Sequence, residues 1–356
     1  MPKAIRWFFK FLSGLIALVI IVSAIIAGGA IYFNSPPAEP PSINENAMKL
    51  EDNSLLLEVK SGESASSVGI RLENAGVIRN RYFWNLLFRL DNEQIKTGTY
   101  KIELPLTQMD IRSVLVSGEQ LLIRVTIPEG VTLRKAARIF EEEGICPAGD
   151  FLAAAASKAI LDAYNVPGNS MEGYLYPDTY LLPLSYPAPR VVSAMADTFF
   201  KRIGTIAGDA MGTRSISPEE LNNRVIIASI IEREYQISDE APLIAGVFYN
   251  RIRIGMALQS CATVEYVITE ILGRPHPEAL FNRDLEIKDP YNTYLRPGLP
   301  PGPISAPGET ALRAAFNPVP SDYLYFRLID AASGQHYFSR TLDDHIRAGA
   351  LYLKRR

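Results

Sequence analysis

The sequence predicts an α+β protein with a single N-terminal transmembrane helix, a small strand–helix region and a larger, mostly helical α+β domain. Three observations carry this reading. An uncharged stretch, Phe11–Phe33, lies at the N-terminus. A strand–glycine–helix pattern then occurs twice. From about Leu161 the apolar spacing turns helical and is broken by long proline-rich connections. The implied organisation is a cytoplasmic stub (1–10), a transmembrane helix (11–33), a Pro-rich linker (34–54), a repeated strand–helix region (55–160) and the larger domain (161–356).

Composition removes several function classes. A chain of 356 residues exceeds what one core usually holds, and 47% apolar with 21% charged residues excludes a wholly disordered or fibrous chain. With 36 Lys and Arg against 39 Asp and Glu the net charge is −3, so there is no broad basic footprint and no nucleic-acid partner is expected. Two cysteines, Cys146 and Cys261, cannot staple so long a chain and form no CxxC; they are expected to stay unpaired. His276, His336 and His345 lack HExxH spacing, so no metal site is expected. GxSxG, GxxxxGK[ST] and GxGxxG are absent from the sequence, and no cofactor is expected either.

Lys3, Arg6 and Lys10 precede the apolar stretch and favour a cytoplasmic N-terminus. At ~1.5 Å per residue the stretch would reach across a ~30 Å hydrocarbon core. The competing reading is a signal peptide cut near Ala27–Ala30; the apolar run is long for one. Pro36, Pro37, Pro40 and Pro41 then read as a stiff spacer.

The repeat aligns Leu57–Ser64 with Val125–Thr132 at an offset of 68 residues. Gly62 meets Gly130, Ser64 meets Thr132, Gly76 meets Gly144 and Phe83 meets Phe151. Ser64 and Thr132 are expected to cap a helix that Gly76 or Gly144 ends. Farther on, Ser217-Pro-Glu-Glu220 reads as a helix start, and that helix is expected to run to about Gln236. A second helix is expected over Ala241–Ile254, irregular structure over Asp289–Pro307, a hairpin around Ser333-Gly334, and an amphipathic helix from Asp343 to the end.

Val225-Ile-Ile-Ala-Ser-Ile-Ile231 covers every face of two turns without a charge, so this helix is buried all round. Glu232 is the first ionisable group after it. A carboxyl at the mouth of an apolar site is disfavoured in its charged form, and with its pKa raised it becomes a usable general acid. The alternative is a polar helix end, with Glu232 paired to Arg233 or Arg251. Other polar and aromatic residues gather around proline and glycine: Leu258-Gln-Ser260 with Thr263, Tyr291-Asn-Thr-Tyr294 before Pro297–Pro303, and Glu172-Gly-Tyr-Leu-Tyr-Pro-Asp-Thr-Tyr180. Such groups suit hydrogen bonding to and stacking on a neutral sugar in a cleft.

At these residues the sequence resembles the endolytic murein transglycosylases, the YceG-like family. The resemblance runs over nearly the whole chain and includes Ala228-Ser-Ile-Ile-Glu-Arg-Glu234, Phe248-Tyr-Asn-Arg-Ile-Arg-Ile-Gly-Met256 and Gly298-Leu-Pro-Pro-Gly-Pro-Ile304. One departure is Cys261-Ala262, where many members carry Asp-Pro. The resemblance implies that the repeated region is LysM-like and that Glu232 is the catalytic glutamate. It also implies a membrane-bound bacterial enzyme whose domain outside the inner membrane cuts the MurNAc–GlcNAc β-1,4 bond of nascent peptidoglycan strands, leaving 1,6-anhydro-MurNAc ends. Gln259, Thr263, Asn292, Tyr294, Glu172 and Asp178 are then the expected substrate-binding residues, and peptidoglycan synthases at the membrane the expected partners. An ordinary glycosidase needs two carboxylates. Glu232 stands alone as a strong candidate, which suits an intramolecular attack by the sugar's own hydroxyl. Two rivals remain: a non-catalytic peptidoglycan-binding anchor and a water-using muramidase.

Overall fold

The uncharged N-terminal stretch forms helix α1 (Lys3–Asn34) in the computed structural model, which describes residues 3–38, 48–51, 54–91, 93–212, 215–330 and 332–353. Within α1, Trp7–Asn34 is long and apolar enough to cross a membrane. Contacts divide the chain into two units, residues 1–122 with 183–185, and residues 123–182 with 186–356.

The first unit continues with β1 (Met48–Glu51), β2 (Ser54–Val59), α2 (Ala65–Asn74), α3 (Arg81–Asp91), β3 (Gly98–Glu103) and α4 (Gln108–Ser117). β2 is the centre of an antiparallel sheet ordered β1-β2-β3, with Leu57 opposite Met48 on one side and Tyr100 on the other. Leu55, Leu57, Val59, Tyr100 and Ile102 turn inward at the period of two and pack with Val68, Leu72, Trp84, Phe88 and Leu115. The expected linker over 34–54 is therefore shorter than the sequence suggested. Its residues 48–51 are a strand, because Ser54–Val59 offers them a free edge. Pro40 and Pro41 fall outside the described residues. Nor is the start of the linker a free spacer: Arg79 donates to the carbonyl of Pro36 through Nε (2.9 Å) and Nη2 (2.7 Å), and Gln108 Nε2 donates to the Phe33 carbonyl (2.7 Å).

The second unit holds β4 (Leu122–Thr126), which starts at the boundary, then α5 (Leu133–Glu142), α6 (Ala148–Ala155), α7 (Lys158–Ala163), β5 (Thr179–Pro183), α8 (Ala188–Met211) and α9 (Pro218–Ile231). It continues with α10 (Ala241–Arg253), α11 (Cys261–Tyr266), α12 (Asn282–Leu285), α13 (Glu309–Phe316), β6 (Tyr325–Asp330), β7 (Gln335–Ser339) and α14 (Leu342–Leu353). β4 pairs with β5, and β6 with β7 as the expected late hairpin. The two repeat copies share their local design. Ser64 accepts from the Ser67 N–H and Thr132 from the Lys135 N–H, while Gly62 and Gly130 take φ of +77° and +74° in the preceding turns.

Their packing separates them. Val125, Ile127, Ala137, Phe140 and Phe151 of the second copy belong to the same core as α8 and α9. The contacts accordingly divide after Leu122 rather than at residue 160, since α5 of the second copy packs on α6, and α6 in turn packs on α8.

α9 is buried from Val225 through Ile231 and packs against α10 and α13. It stops at Ile231, short of Gln236. After Glu232 the backbone tightens, with N–H groups of Arg233 and Glu234 donating to the carbonyls of Ile230 and Ile231 at 3.0 and 2.9 Å. The polar run Glu232–Gln236 thus becomes a turn at the rim of the core. Cys146 is buried, Cys261 is exposed, and both are free thiols.

Candidate active site

Three segments converge on Glu232. The first is α9 itself, begun by the Ser217 cap on the Glu220 N–H (3.1 Å) and anchored at its far end through Ser229. Ser229 Oγ accepts from the Ile304 N–H (3.0 Å), and its carbonyl accepts from Ser305 Oγ (3.0 Å). These bonds tie the Pro/Gly-rich segment to the last turn of α9. The second is that segment as it runs into α13: the Gly308 N–H donates to Glu232 Oε2 at 2.9 Å. The third is the turn Pro128-Glu129-Gly130. Gly130 N–H donates to the Ala306 carbonyl and Ala306 N–H to the Val131 carbonyl, each at 2.8 Å, so the turn lies along the Pro/Gly segment.

Two glycines record how closely these segments approach. A Cβ on Gly130 would stand 3.6 Å from Glu232 Cγ, and a Cβ on Gly308 would overlap the Glu129 carboxylate. Gly173, at φ +81°, similarly lets the chain pass over Pro303, which a side chain at 173 would strike. The Pro/Gly segment is thus held from both sides.

Burial pushes the Glu232 carboxyl up to about 7. The Gly308 N–H opposes the shift, the negative charge of Glu129 adds to it, and a long hydrogen bond from the Tyr235 hydroxyl to Oε1 (3.5 Å) opposes it. Neither expected cation neutralises Glu232. Arg233 pairs with Glu265 at 2.8 Å, and Arg251 donates to the carbonyls of Leu258 and Leu324. At neutral pH the group therefore divides between acid and carboxylate, as a residue that both gives and takes a proton requires.

A polar cavity of about 590 Å³ carries in its wall the two residues that follow Glu232, Arg233 and Glu234, together with Arg251, Gln259, Tyr294 and His336. That size suits a small-molecule or oligosaccharide subsite. Burial raises Glu234 to about 7 as well, although its hydrogen bond from the Ser260 hydroxyl favours the charged form.

The structure divides the expected binding residues. Gln259 is exposed, with φ +51°, and faces this cavity together with Tyr294, whose hydroxyl lies 3.2 Å from Cys261 Sγ. Thr263 and Asn292 are buried and spent internally. Thr263 Oγ1 donates to the Ser260 carbonyl (2.7 Å), and Asn292 Nδ2 donates to the carbonyls of Leu285 and Ile287 (2.9 and 2.8 Å). Both shape the loop that carries Gln259 and Tyr294 and leave no polar atom for a ligand. Glu172 is buried beneath the N-terminus of α5, accepting from the Leu133 N–H at 3.1 Å, and burial lifts it to about 8. It borders a separate cavity of about 460 Å³ with Tyr291, Gly302 and Pro303. Asp178 is exposed; its carboxylate accepts from the Thr179 N–H at 2.7 Å, and its backbone carbonyl from Ile127 at 3.0 Å.

Glu129 and Gly308 escape sequence reasoning. The repeat gave no signal for Glu129: the first copy has Ser61 at the matching place, but its turn is charged as well, through Lys60 and Glu63.

The YceG-like family matches residues 57–350, most of the chain and all of this site. The chain belongs to the YceG-like family. Among curated YceG-like relatives, the endolytic murein transglycosylase of Bacillus subtilis strain 168 is 27% identical over 92% of this chain and 91% of its own length. That of Streptococcus pneumoniae strain R6 is 26% identical over 93% of this chain, which spans 64% of the pneumococcal protein. A crystal structure of a YceG-like protein from Listeria monocytogenes superposes with a TM-score of 0.55 at 29% identity, covering 83% of this chain and 99% of that one.

Proposed function

We propose that this protein is an endolytic murein transglycosylase that cuts the MurNAc–GlcNAc β-1,4 bond of glycan strands, with Glu232 as its acid and then its base. The observation that carries this reading is Glu232 itself: a carboxyl raised to about 7 by burial, oriented by the Gly308 N–H, unneutralised by Arg233 or Arg251, and followed in the chain by two residues, Arg233 and Glu234, that line a polar cavity. Protonated Glu232 gives its proton to the bridging O4 as the C1–O4 bond breaks. As a carboxylate it then takes the proton of the C6 hydroxyl while O6 bonds to C1, which closes a 1,6-anhydro ring and restores the acid. The intramolecular nucleophile gains effective molarity and needs no water. Glu129 contributes its charge. It favours the protonated form of Glu232 at the start and opposes the positive charge that develops at C1. Gln259 and Tyr294 would contact the strand, whereas Thr263 and Asn292 hold the loop beneath them.

One observation favours a second reading, the water-using muramidase. Glu129 puts a second carboxylate beside Glu232, and paired carboxylates are what hydrolysis uses. Mass spectrometry of glycan ends released from purified peptidoglycan decides between them. Anhydro ends support the transglycosylase; ends heavier by one water support hydrolysis; no cleavage returns the protein to a binding role.

The same proposal places α1 in the inner membrane with its N-terminus in the cytoplasm and the two units outside, near nascent strands and the synthases that make them. It also reads the strand–helix copies as LysM-like, with the first unit available to hold glycan.

A further inference from the structure

We infer that helix α3 lies in the headgroup region of the bilayer, so that the first unit is seated on the membrane surface instead of being held off it. The inference rests on reading α1 as a membrane anchor.

The outer end of α1 is fixed to the first unit by bonds from several directions. Gln108 Nε2 donates to the Phe33 carbonyl, the Met109 N–H donates to Asn34 Oδ1 at 2.9 Å, and the Arg79 guanidinium bonds the Pro36 carbonyl while lying 4.9 Å over the Tyr32 ring. The Phe33 and Phe83 rings are 6.4 Å apart, which places α3 directly against the end of the span. Tyr32 and Phe33 are the aromatic residues expected at a membrane–water boundary.

α3 is apolar on two sides. Trp84 and Phe88 are buried in the core of the unit, yet Leu86 is 47% exposed, Leu90 70% and Tyr82 69%. At ~100° per residue Leu86 and Leu90 lie about 60° and 20° from Phe83, the residue that meets α1. Asn85, bonded to Ser66 Oγ at 3.3 Å, lies about 160° away. The exposed leucines are thus on the side of α3 nearest the span. Met109, 52% exposed, adds an apolar side chain at the same end. A second apolar face continuous with a transmembrane helix is what an interfacial helix presents to lipid.

The test uses the full chain with Cys146→Ala and Cys261→Ser, reconstituted in phosphatidylethanolamine–phosphatidylglycerol bilayers. Nitroxide labels are placed singly through Leu86→Cys, Leu90→Cys, Val19→Cys and Ser66→Cys. We expect labels at 86 and 90 to relax faster with oxygen than with an aqueous nickel chelate, as at 19, and the preference to invert at 66. A preference at 86 and 90 equal to that at 66, with 19 still lipid-like, overturns the inference while leaving the anchor intact. Dipolar broadening at 86 and 90 assigns the stripe to a second copy of the chain and also overturns it. A water-like signal at 19 removes the anchor reading itself.

Discussion

Glu232 directly follows the last residue of α9, where the uncharged, buried half of that helix meets the Pro/Gly segment. Its pKa follows from that position, because burial raises it and a single backbone N–H only partly compensates. Glu232→Gln keeps the shape and the Gly308 contact but carries no acidic proton. We expect it to fold with an unchanged melting temperature and to lose on the order of 10²–10⁴-fold in glycan-cleaving turnover. Glu129 acts through charge. Its negative charge raises Glu232, so Glu129→Gln lowers the Glu232 pKa. The basic limb of the kcat/KM profile, where the acid loses its proton, is expected to move to lower pH. An unmoved limb would show that Glu129 does not act on Glu232. The position of Glu232 was legible because a first charge after seven uncharged helical residues is a pattern on the line of sequence. Glu129 lies 103 residues earlier and meets it only through the pairing of Gly130 and Val131 with Ala306.

Among the elements, α5 joins a sequence-visible start to a hidden partner. Thr132 caps it locally, and Glu172, distant in sequence, accepts from its Leu133 N–H. Burial raises Glu172 to about 8, so the folded chain keeps a proton that the unfolded chain releases near ~4.3. The stability tied to that proton is fully present below ~4.3 and is lost as pH rises through about 8. Glu172→Gln removes the titration. Its melting temperature relative to the wild type is expected to climb between about pH 4.5 and about pH 8, measured by calorimetry; a constant difference would mean the carboxyl does not carry the shift. Helix starts at Ser64, Thr132 and Ser217 were readable because a cap is a local hydrogen bond. The end of α9 was not, since nothing local forbids Glu232–Gln236 from continuing the helix. The strand at 48–51 was also hidden, because an edge strand takes its identity from its neighbour.

For the molecule as a whole, the proposed anchor through α1 would act by tethering, which raises the effective concentration of a site at its target. Residues 32–36 are bonded to the first unit, so an anchor exchange must leave them in place. Replacing residues 11–29 with an unrelated transmembrane sequence of the same orientation is expected to preserve glycan shortening in cells. An exported chain lacking residues 1–29 is expected to cut isolated peptidoglycan but to leave nascent strands long, as read from glycan length distributions. Full complementation by the exported chain at native expression would show that α1 is not needed as a tether.

The sequence by itself determined the apolar span, the paired strand–helix copies with their caps, the buried helix stretch that precedes Glu232, and the irregular course of the Pro/Gly segment. Each of these follows from hydropathy, periodicity or the stereochemistry of a few adjacent residues. Tertiary structure alone decided which core the second copy joins, that Thr263 and Asn292 face inward while Gln259 and Tyr294 face the cavity, and that Glu129 stands over Gly308. Burial, charge pairing and close backbone approach are properties of neighbours in space, and in this protein those neighbours come from segments tens to more than a hundred residues apart.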